Sequence, residues 1–279
     1  MSKWQKSPSR RQFLSGSAAA VAGSMSAGAA AAQTPDPLIT QVQDWASYAG
    51  DGVDEVRYGL PIRFEDDVVR RNVPWLTADP ISSINFTPIH ALDGTITPQG
   101  CAFERHHSGA IELRKQDYRL MVNGLVDRPI ILTYADLERL PRVNHVYFCE
   151  CAANTGMEWA GAQLNGAQFT HGMIHNMEYT GVPLRLVLQQ AGLAAAEDLS
   201  NKWVFVEGAD ASSNGRSIPM EKALDDVFVA FKANGEALRK EHGYPVRLVV
   251  PGWEGNLWVK WLRRIEVTDR SVESREETS

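Results

Sequence analysis

The run Val146-Tyr-Phe-Cys-Glu-Cys151-Ala-Ala-Asn-Thr-Gly156 sets the pattern of this chain. β-Branched and aromatic residues predict a buried strand over 143–149, which breaks into small residues and turn formers as it leaves its sheet. The same reading along the chain predicts a strand over 118–123 turned at Gly124. A short helix over 132–140, capped by Thr133 and stopped by Pro141, follows it. After Trp159 the stretch 161–170 reads as loop. Tyr179 to Pro183 leads into an amphipathic helix over 184–192, ended by glycine. Further strands are predicted at 203–210 and 227–231, the latter turned at Asn234-Gly235, with a helix around 220–224 between them. Apolar strands follow Arg247 and end at Ile265-Glu-Val267. Residues 61–100 hold scattered prolines and no clean period, which predicts a segment wrapping the surface. The pattern as a whole is α+β, with mixed sheets and short helices.

Several strand ends carry chemistry. Cys151 at a strand-to-loop junction can present its sulfur to a cavity while the sheet fixes its backbone, although packing, a strained disulfide or part of a metal site are equally open to a Cys-x-Cys pair. Phe103-Glu-Arg-His-His-Ser-Gly109 joins Arg105 to His106 and His107. Those groups suit an anion, while a zinc or copper site or a solvated loop are the rival readings. His242, Arg247 and Lys260 lie at other strand ends, and Gly172 allows close backbone approach to a ligand. Basic groups and bare amides converging on one place make an anion site, most naturally for phosphate. A soft thiolate beside it points to a transition-metal cofactor that carries its own phosphate.

The 279 residues, 44% hydrophobic with 8 Trp, provide one large domain or two small ones. Ser9-Arg-Arg-Gln-Phe-Leu14 and the Ala/Gly/Ser run after it predict a twin-arginine signal over 1–32, too short and alanine-rich to span a membrane. A polar tether with one short helix is expected from 33 to about 60, and residues 33–84 together are read as tether and wrapping segment. Cleavage near Ala32 removes four of the 28 basic residues and none of the 34 acidic ones, for a net charge near −10. That surface argues against nucleic acid and anionic membranes and suits a basic partner. Three cysteines make no disulfide framework.

The motifs Phe103-Glu-Arg-His-His, Glu150-Cys-Ala-Ala-Asn-Thr-Gly-Met-Glu-Trp159, Glu207-Gly-Ala-Asp210, Arg216-Ser-Ile-Pro219, His242-Gly-Tyr-Pro-Val-Arg-Leu-Val-Val-Pro-Gly-Trp-Glu-Gly-Asn256 and Val259-Lys-Trp-Leu262 stand in the order seen in the sulfite oxidase family of molybdopterin enzymes. The chain resembles that family over about residues 85–279, most closely its sulfane dehydrogenase molybdenum subunits. The resemblance implies a sulfite-oxidase-type molybdopterin-binding domain over 85–270, a charged tail over 271–279, and absence of the family's C-terminal dimerisation domain. It implies molybdenum–molybdopterin as cofactor and no haem in this chain. By matched position it implies Cys151 as the metal ligand and, with Arg105, as catalytic. Phe103, Arg105, His106, His107, Gly172, Met173, Ile174, Asp210, Ser217, His242, Arg247 and Lys260 become cofactor contacts, and Trp159 and Asn214 line the substrate pocket.

The implied activity is oxygen-atom transfer to a reduced sulfur substrate in the periplasm, with electrons leaving to a c-type cytochrome. Thr155 and Gly156 replace the basic residues that grip sulfite in the family. That favours sulfane sulfur on a sulfur-carrier protein over free sulfite, with a sulfite dehydrogenase or a non-catalytic remnant as alternatives. Cys149 and Cys101 are expected to be structural.

Overall fold

The structure is a computed structural model that describes residues 61–77, 81–193 and 198–274, with Ala46 and Ala49 besides. The chain divides into a unit of residues 1–57 and one of 58–279, and the second holds everything below. The expected leader and most of the tether lie outside the described residues.

Twelve strands are described: β1 (Arg71–Asn72), β2 (Asn85–Phe86), β3 (Arg119–Gly124), β4 (Ile130–Thr133), β5 (Val143–Glu150), β6 (Ile174–Pro183), β7 (Trp203–Gly208), β8 (Gly215–Pro219), β9 (Phe228–Ala233), β10 (Glu236–Ala237), β11 (Arg247–Val249) and β12 (Leu262–Thr268). One five-stranded sheet runs β10-β9-β6-β5, with β11 also on β9; the other runs β4-β3-β12-β7-β8. Every pairing is antiparallel except β3 with β12. The helices are short: α1 (Tyr134–Glu138), α2 (Ala167–His171), α3 (Leu184–Gln190) and α4 (Met220–Asp225). With mixed sheets and short helices, this is the α+β arrangement expected.

Local chemistry accounts for most of these elements. In β3, Leu120 and Val122 turn into the core while Arg119 and Met121 face out, the period of a half-buried strand. Helix α1 begins at Thr133, whose hydroxyl accepts from the Asp136 N–H while the Asp136 carboxylate accepts from the Thr133 N–H. Asn234 and Gly235, at φ 50° and 76°, close the β9–β10 hairpin.

Two expectations give way. The stretch predicted as loop over 161–170 contains α2, because Phe169 buries itself against Phe86, with ring centroids 5.4 Å apart. The segment predicted to wrap the surface is partly threaded into the domain. Phe86 is fully buried, the Thr87 hydroxyl donates to the Ile174 carbonyl at 2.7 Å, and Gln99 donates to the Ala233 carbonyl at 3.0 Å. These polar side chains satisfy strand backbone that would otherwise be orphaned. Strand β6 itself extends well before the Tyr179 to Pro183 stretch that the sequence marks. It buries His175, Met177 and Tyr179 on alternate positions and carries the sheet between β5 and β9.

Gly181 sits where β6 slips register against β9, and a Cβ there would lie 2.2 Å from the Val229 carbonyl oxygen and 2.6 Å from the Ala230 Cα. Both neighbours are sheet backbone that cannot move aside. Gly181→Ala should lower stability by about 3 kcal/mol or more, read as a fall in the urea midpoint with little change in slope.

Candidate functional site

Both sheets end around one cavity of about 370 Å³. The first sheet contributes the end of β5, the start of β6 and the start of β11. The second contributes Arg216 of β8 with Asn214 just before it, and the loop through Gly255, Trp258 and Lys260 closes the wall. Gly255 has to be small there: a Cβ would meet the Glu150 carbonyl oxygen at 2.9 Å and the Cys149 sulfur at 3.2 Å.

The cavity is positively charged and deeply set. Arg247, only 3% exposed, donates to the carbonyls of Trp258 (3.1 Å) and His242 (3.3 Å) and lies over the rings of Tyr179 and Trp258. Among the described residues it forms no ion pair. Lys260 donates to the carbonyls of Arg105 (2.9 Å) and Glu241 (3.0 Å) and to Nδ1 of His106 (2.9 Å), 4.7 Å from the Trp261 ring centre. Burial, reinforced by the Arg247 charge, pulls the Lys260 ammonium down to about 7; Glu104 and Asp210 oppose this only in part.

His106 accepts from Lys260 at Nδ1 and bonds Glu104 through Nε2 at 2.5 Å, so its ring is fixed behind the cavity wall rather than at it. Burial would raise the Glu104 carboxyl, but the His106 hydrogen bond and the Arg70 charge hold it down to about 2.

His175 and His242 both line the cavity, with ring centroids 5.8 Å apart. Nε2 of His242 lies 3.2 Å from the Phe103 carbonyl, and Nε2 of His175 lies 2.8 Å from the Tyr179 hydroxyl. Each leaves a buried Nδ1 without a partner. Burial, reinforced by the charges of Arg247 and Lys260, keeps both neutral, with His175 pushed down to about 3. Because His242 donates through Nε2, its Nδ1 is an acceptor awaiting a donor. Four cations (Arg105, Arg216, Arg247 and Lys260) against two carboxylates (Glu104 and Glu241) on the lining, beside ring nitrogens without partners, match a ligand that carries both an anionic group and N–H donors. A phosphorylated pterin has that chemistry.

Cys151 lies just beyond β5, its N–H on the Met173 carbonyl at 3.0 Å. Burial pushes its thiol up, while the Ala153 N–H and the Arg105 charge pull it down. Cys149, expected to be structural, is buried and also lines the cavity; burial pushes its thiol up to about 11 against the pull of Arg247.

Of the residues the motifs name, Phe103, Arg105, His107, Cys151, Asn214, His242, Arg247 and Lys260 line this one cavity. Others lie elsewhere. Trp159 is 82% exposed and off the cavity. The Ser217 hydroxyl donates to the Val272 carbonyl and accepts from the Val272 N–H, both at 2.8 Å. Gly172 packs against the Gln168 carbonyl and Phe86, and the Met173 N–H is taken by Asn154. Ile174 gives its carbonyl to Thr87, and Asp210 is buried beside Ser212.

The sequence reading did not single out His175, Arg216, Asn256 or Trp258 as site residues. The alternation of buried positions back from Tyr179 through Met177 was the available signal for His175.

The sequence profile of the oxidoreductase molybdopterin binding domain matches residues 107–276. The chain belongs to that family. This molybdopterin-binding chain is 69% identical to the crystal structure of the sulfane dehydrogenase SoxCD from Paracoccus pantotrophus, with a TM-score of 0.81 over 88% of its length and 62% of the other chain. It is 34% identical to mitochondrial sulfite oxidase of Mus musculus over 77% of its own length and 40% of that protein. It is 35% identical to the NADH nitrate reductase of Volvox carteri over 65% and 22%. The family chain described here thus spans less than two thirds of each of these relatives.

The Lys260 ammonium gives the cofactor-free protein a measurable pH signature. Its folded value near 7 lies below the ordinary 10.5, so above pH 7 the unfolded chain holds a proton that the folded chain has released. Stability should therefore rise with pH above 7, by at most about 1.4 kcal/mol per unit from this group. Lys260→Met should remove that rise between about pH 7 and 8.5, below the ordinary thiol range, when urea midpoints of the two proteins are compared.

Proposed function

We propose that this chain binds molybdenum–molybdopterin in the cavity between its two sheets and oxidises a reduced sulfur substrate, sulfane sulfur borne on a carrier protein. The observation that carries this reading is the pairing of buried Arg247 and half-buried Lys260, neither in an ion pair among the described residues, with a half-buried thiol, Cys151, around one cavity. Arg247 and Lys260 would hold the cofactor's phosphate. His242 and His175 would offer their unpartnered nitrogens to the pterin, and Cys151 as thiolate would be the protein's ligand to the metal. When bound, the cofactor supplies two-electron oxygen-atom chemistry at sulfur.

The chain's own residues do the remaining work. Arg105 lies close enough to Cys151 for its charge to favour the thiolate, and the same guanidinium would stabilise negative charge on a bound substrate. Phe103 lines the cavity and gives its carbonyl to His242, fixing which ring nitrogen stays open. His106, held by Glu104, orients Lys260.

The leader at Ser9 to Leu14 supports export of the folded, loaded protein to the periplasm. The acidic surface supports a basic redox partner, a c-type cytochrome that accepts the electrons. Among the described residues no helix is long and apolar enough to cross a membrane. Likeness to a sulfane dehydrogenase supports carried sulfur as the substrate, as does the absence of basic side chains at Thr155 and Gly156. Free sulfite is the second reading. It is favoured by Arg216, a further cation on the cavity wall.

Protein produced in a host that makes molybdopterin should contain stoichiometric molybdenum and reduce a c-type cytochrome when given sulfane sulfur on a carrier. Cys151→Ser should keep the circular dichroism spectrum and lose that turnover. A folded wild type without molybdenum, or a fully active Cys151→Ser, would falsify the reading, and faster turnover of free sulfite would select the second one.

A further inference from the structure

We infer that Arg216 is the specificity-determining cation of this site, the group that reads the negative charge on the substrate's sulfur. This rests on the proposed sulfur chemistry and names a contact for it. Arg216 is 9% exposed and lines the cavity from β8, in the opposite sheet from Arg247. Its Nη1 is spent on the Gly215 carbonyl at 2.7 Å and the Ser274 hydroxyl at 3.0 Å. Among the described residues, Nε and Nη2 have no protein partner and no carboxylate pairs with the guanidinium. A buried arginine with half its fork uncommitted is matched to an anion from outside the protein.

The strand explains why this arginine, and not its neighbours, faces the cavity. Side chains alternate along β8. Asn214 and Arg216 go to the cavity wall, where Asn214 also donates to the Asn256 carbonyl at 3.3 Å. Gly215 and Ser217 go to the other face. There Phe205 and Ser274 leave no room for a Cβ on Gly215, and Ser217 clasps Val272 through both its N–H and its carbonyl. Residues 271–274 therefore act as a strap that fixes the register of β8 and, through Ser274, the direction of the guanidinium.

The site thus carries two sets of cations. Arg247 spends all three nitrogens and Lys260 its ammonium on carbonyls and the His106 ring, while Arg105 and Arg216 each bind the protein through Nη1. The ligand chemistry is a sulfur-borne negative charge, either the terminal sulfur of a perthiol or the sulfite dianion. Basic side chains missing at positions 155 and 156 leave Arg216 to fill that role.

The test uses molybdenum-loaded full-length protein with Arg216→Met, Arg216→Lys and Ser274→Ala. Sulfate serves as an unreactive anion in calorimetry; sulfite and glutathione persulfide serve as substrates. Arg216→Met should keep its molybdenum, bind sulfate at least about tenfold more weakly, and raise KM by a similar factor with a smaller effect on kcat. Arg216→Lys should recover part of the loss, since it keeps the charge but not the fork. Ser274→Ala should show a weaker form of the same defect.

A KM rise for sulfite alone would name the free dianion as the natural ligand, and one for the persulfide alone would name sulfane sulfur; either supports the assignment. Loss of molybdenum from Arg216→Met would make Arg216 a cofactor contact and overturn it. So would sulfate affinity unchanged from wild type, or a wild type that binds no sulfate. Sulfate binding that depends on Arg216 in a protein oxidising neither sulfur compound would instead sink the proposed function and leave the anion site standing.

Discussion

Among the described residues Arg247 and Lys260 meet carbonyls, the Cys149 thiol, a histidine ring and aromatic faces but form no ion pair, and much of the architecture around the cavity follows from that imbalance. Removing an ion from water costs on the order of several kcal/mol even after relaxation. Hydrogen bonds to charged groups, at roughly 1.5–3 kcal/mol each, and cation–π contacts of roughly 0.5–2 kcal/mol return part of it. For Lys260 the remainder is visible in its proton affinity: a fall from 10.5 to about 7 corresponds to roughly 5 kcal/mol against the charged form. A ligand bringing negative charge to this place recovers that penalty, so binding and folding stability are coupled through the same two side chains. A carboxylate beside Arg247 would have relieved the strain and spoiled the site for a phosphate.

Holding those cations in place needs backbone that regular strands do not provide. Trp261 adopts φ 50°, a left-handed conformation that costs a bulky residue on the order of 1–3 kcal/mol. Its carbonyl accepts from Ala209, and β12 begins immediately after it with a register shift against β7. The turn at Trp261 lets Lys260 point at Arg105 and His106 while Leu262 enters the core. Gly243, at φ 99°, lies close against Lys260 and Arg247, so a side chain there would press on both. Thr155, a β-branched residue at φ 63°, marks a second irregular turn four residues beyond Cys151. Each irregularity lies beside a site residue, and the sheets on either side are regular enough to hold them.

The strand with one buried face was legible because period-two alternation is a local property of sequence, as in β3, and the apolar run of β7 was legible as a buried strand. The cations at strand ends were legible for the same reason, as polar residues breaking an apolar run. Strand β6 was harder, since Asn176 and Glu178 on its outer positions and Gly181 within it weaken the apolar signal. Helix α2 was hidden because Phe169 owes its conformation to Phe86, far earlier in the chain. Ser217 and Arg216 show the sharper limit. Adjacent residues of one strand face opposite ways, and which face meets a cavity depends on Val272 and Ser274, more than fifty residues on. Motif matching named Ser217 as a contact, yet its hydroxyl is bound to the strap.

That parity also explains how one fold can keep a cofactor while changing what it oxidises. The buried cations come from β11 and the loop before β12, and their positions depend on strained backbone and close packing, so substitutions there disturb the whole domain. The part of the cavity lined by Cys151, Asn214 and Arg216 comes instead from short stretches after β5 and at the start of β8, where one side chain changes the charge of the pocket without moving the sheet. Thr155 in place of a base and Arg216 at the cavity wall are two such choices, and together they keep a cation in the pocket while changing the direction from which it acts. A guanidinium held by the strap behind β8 meets an incoming anion from that strand's side of the cavity.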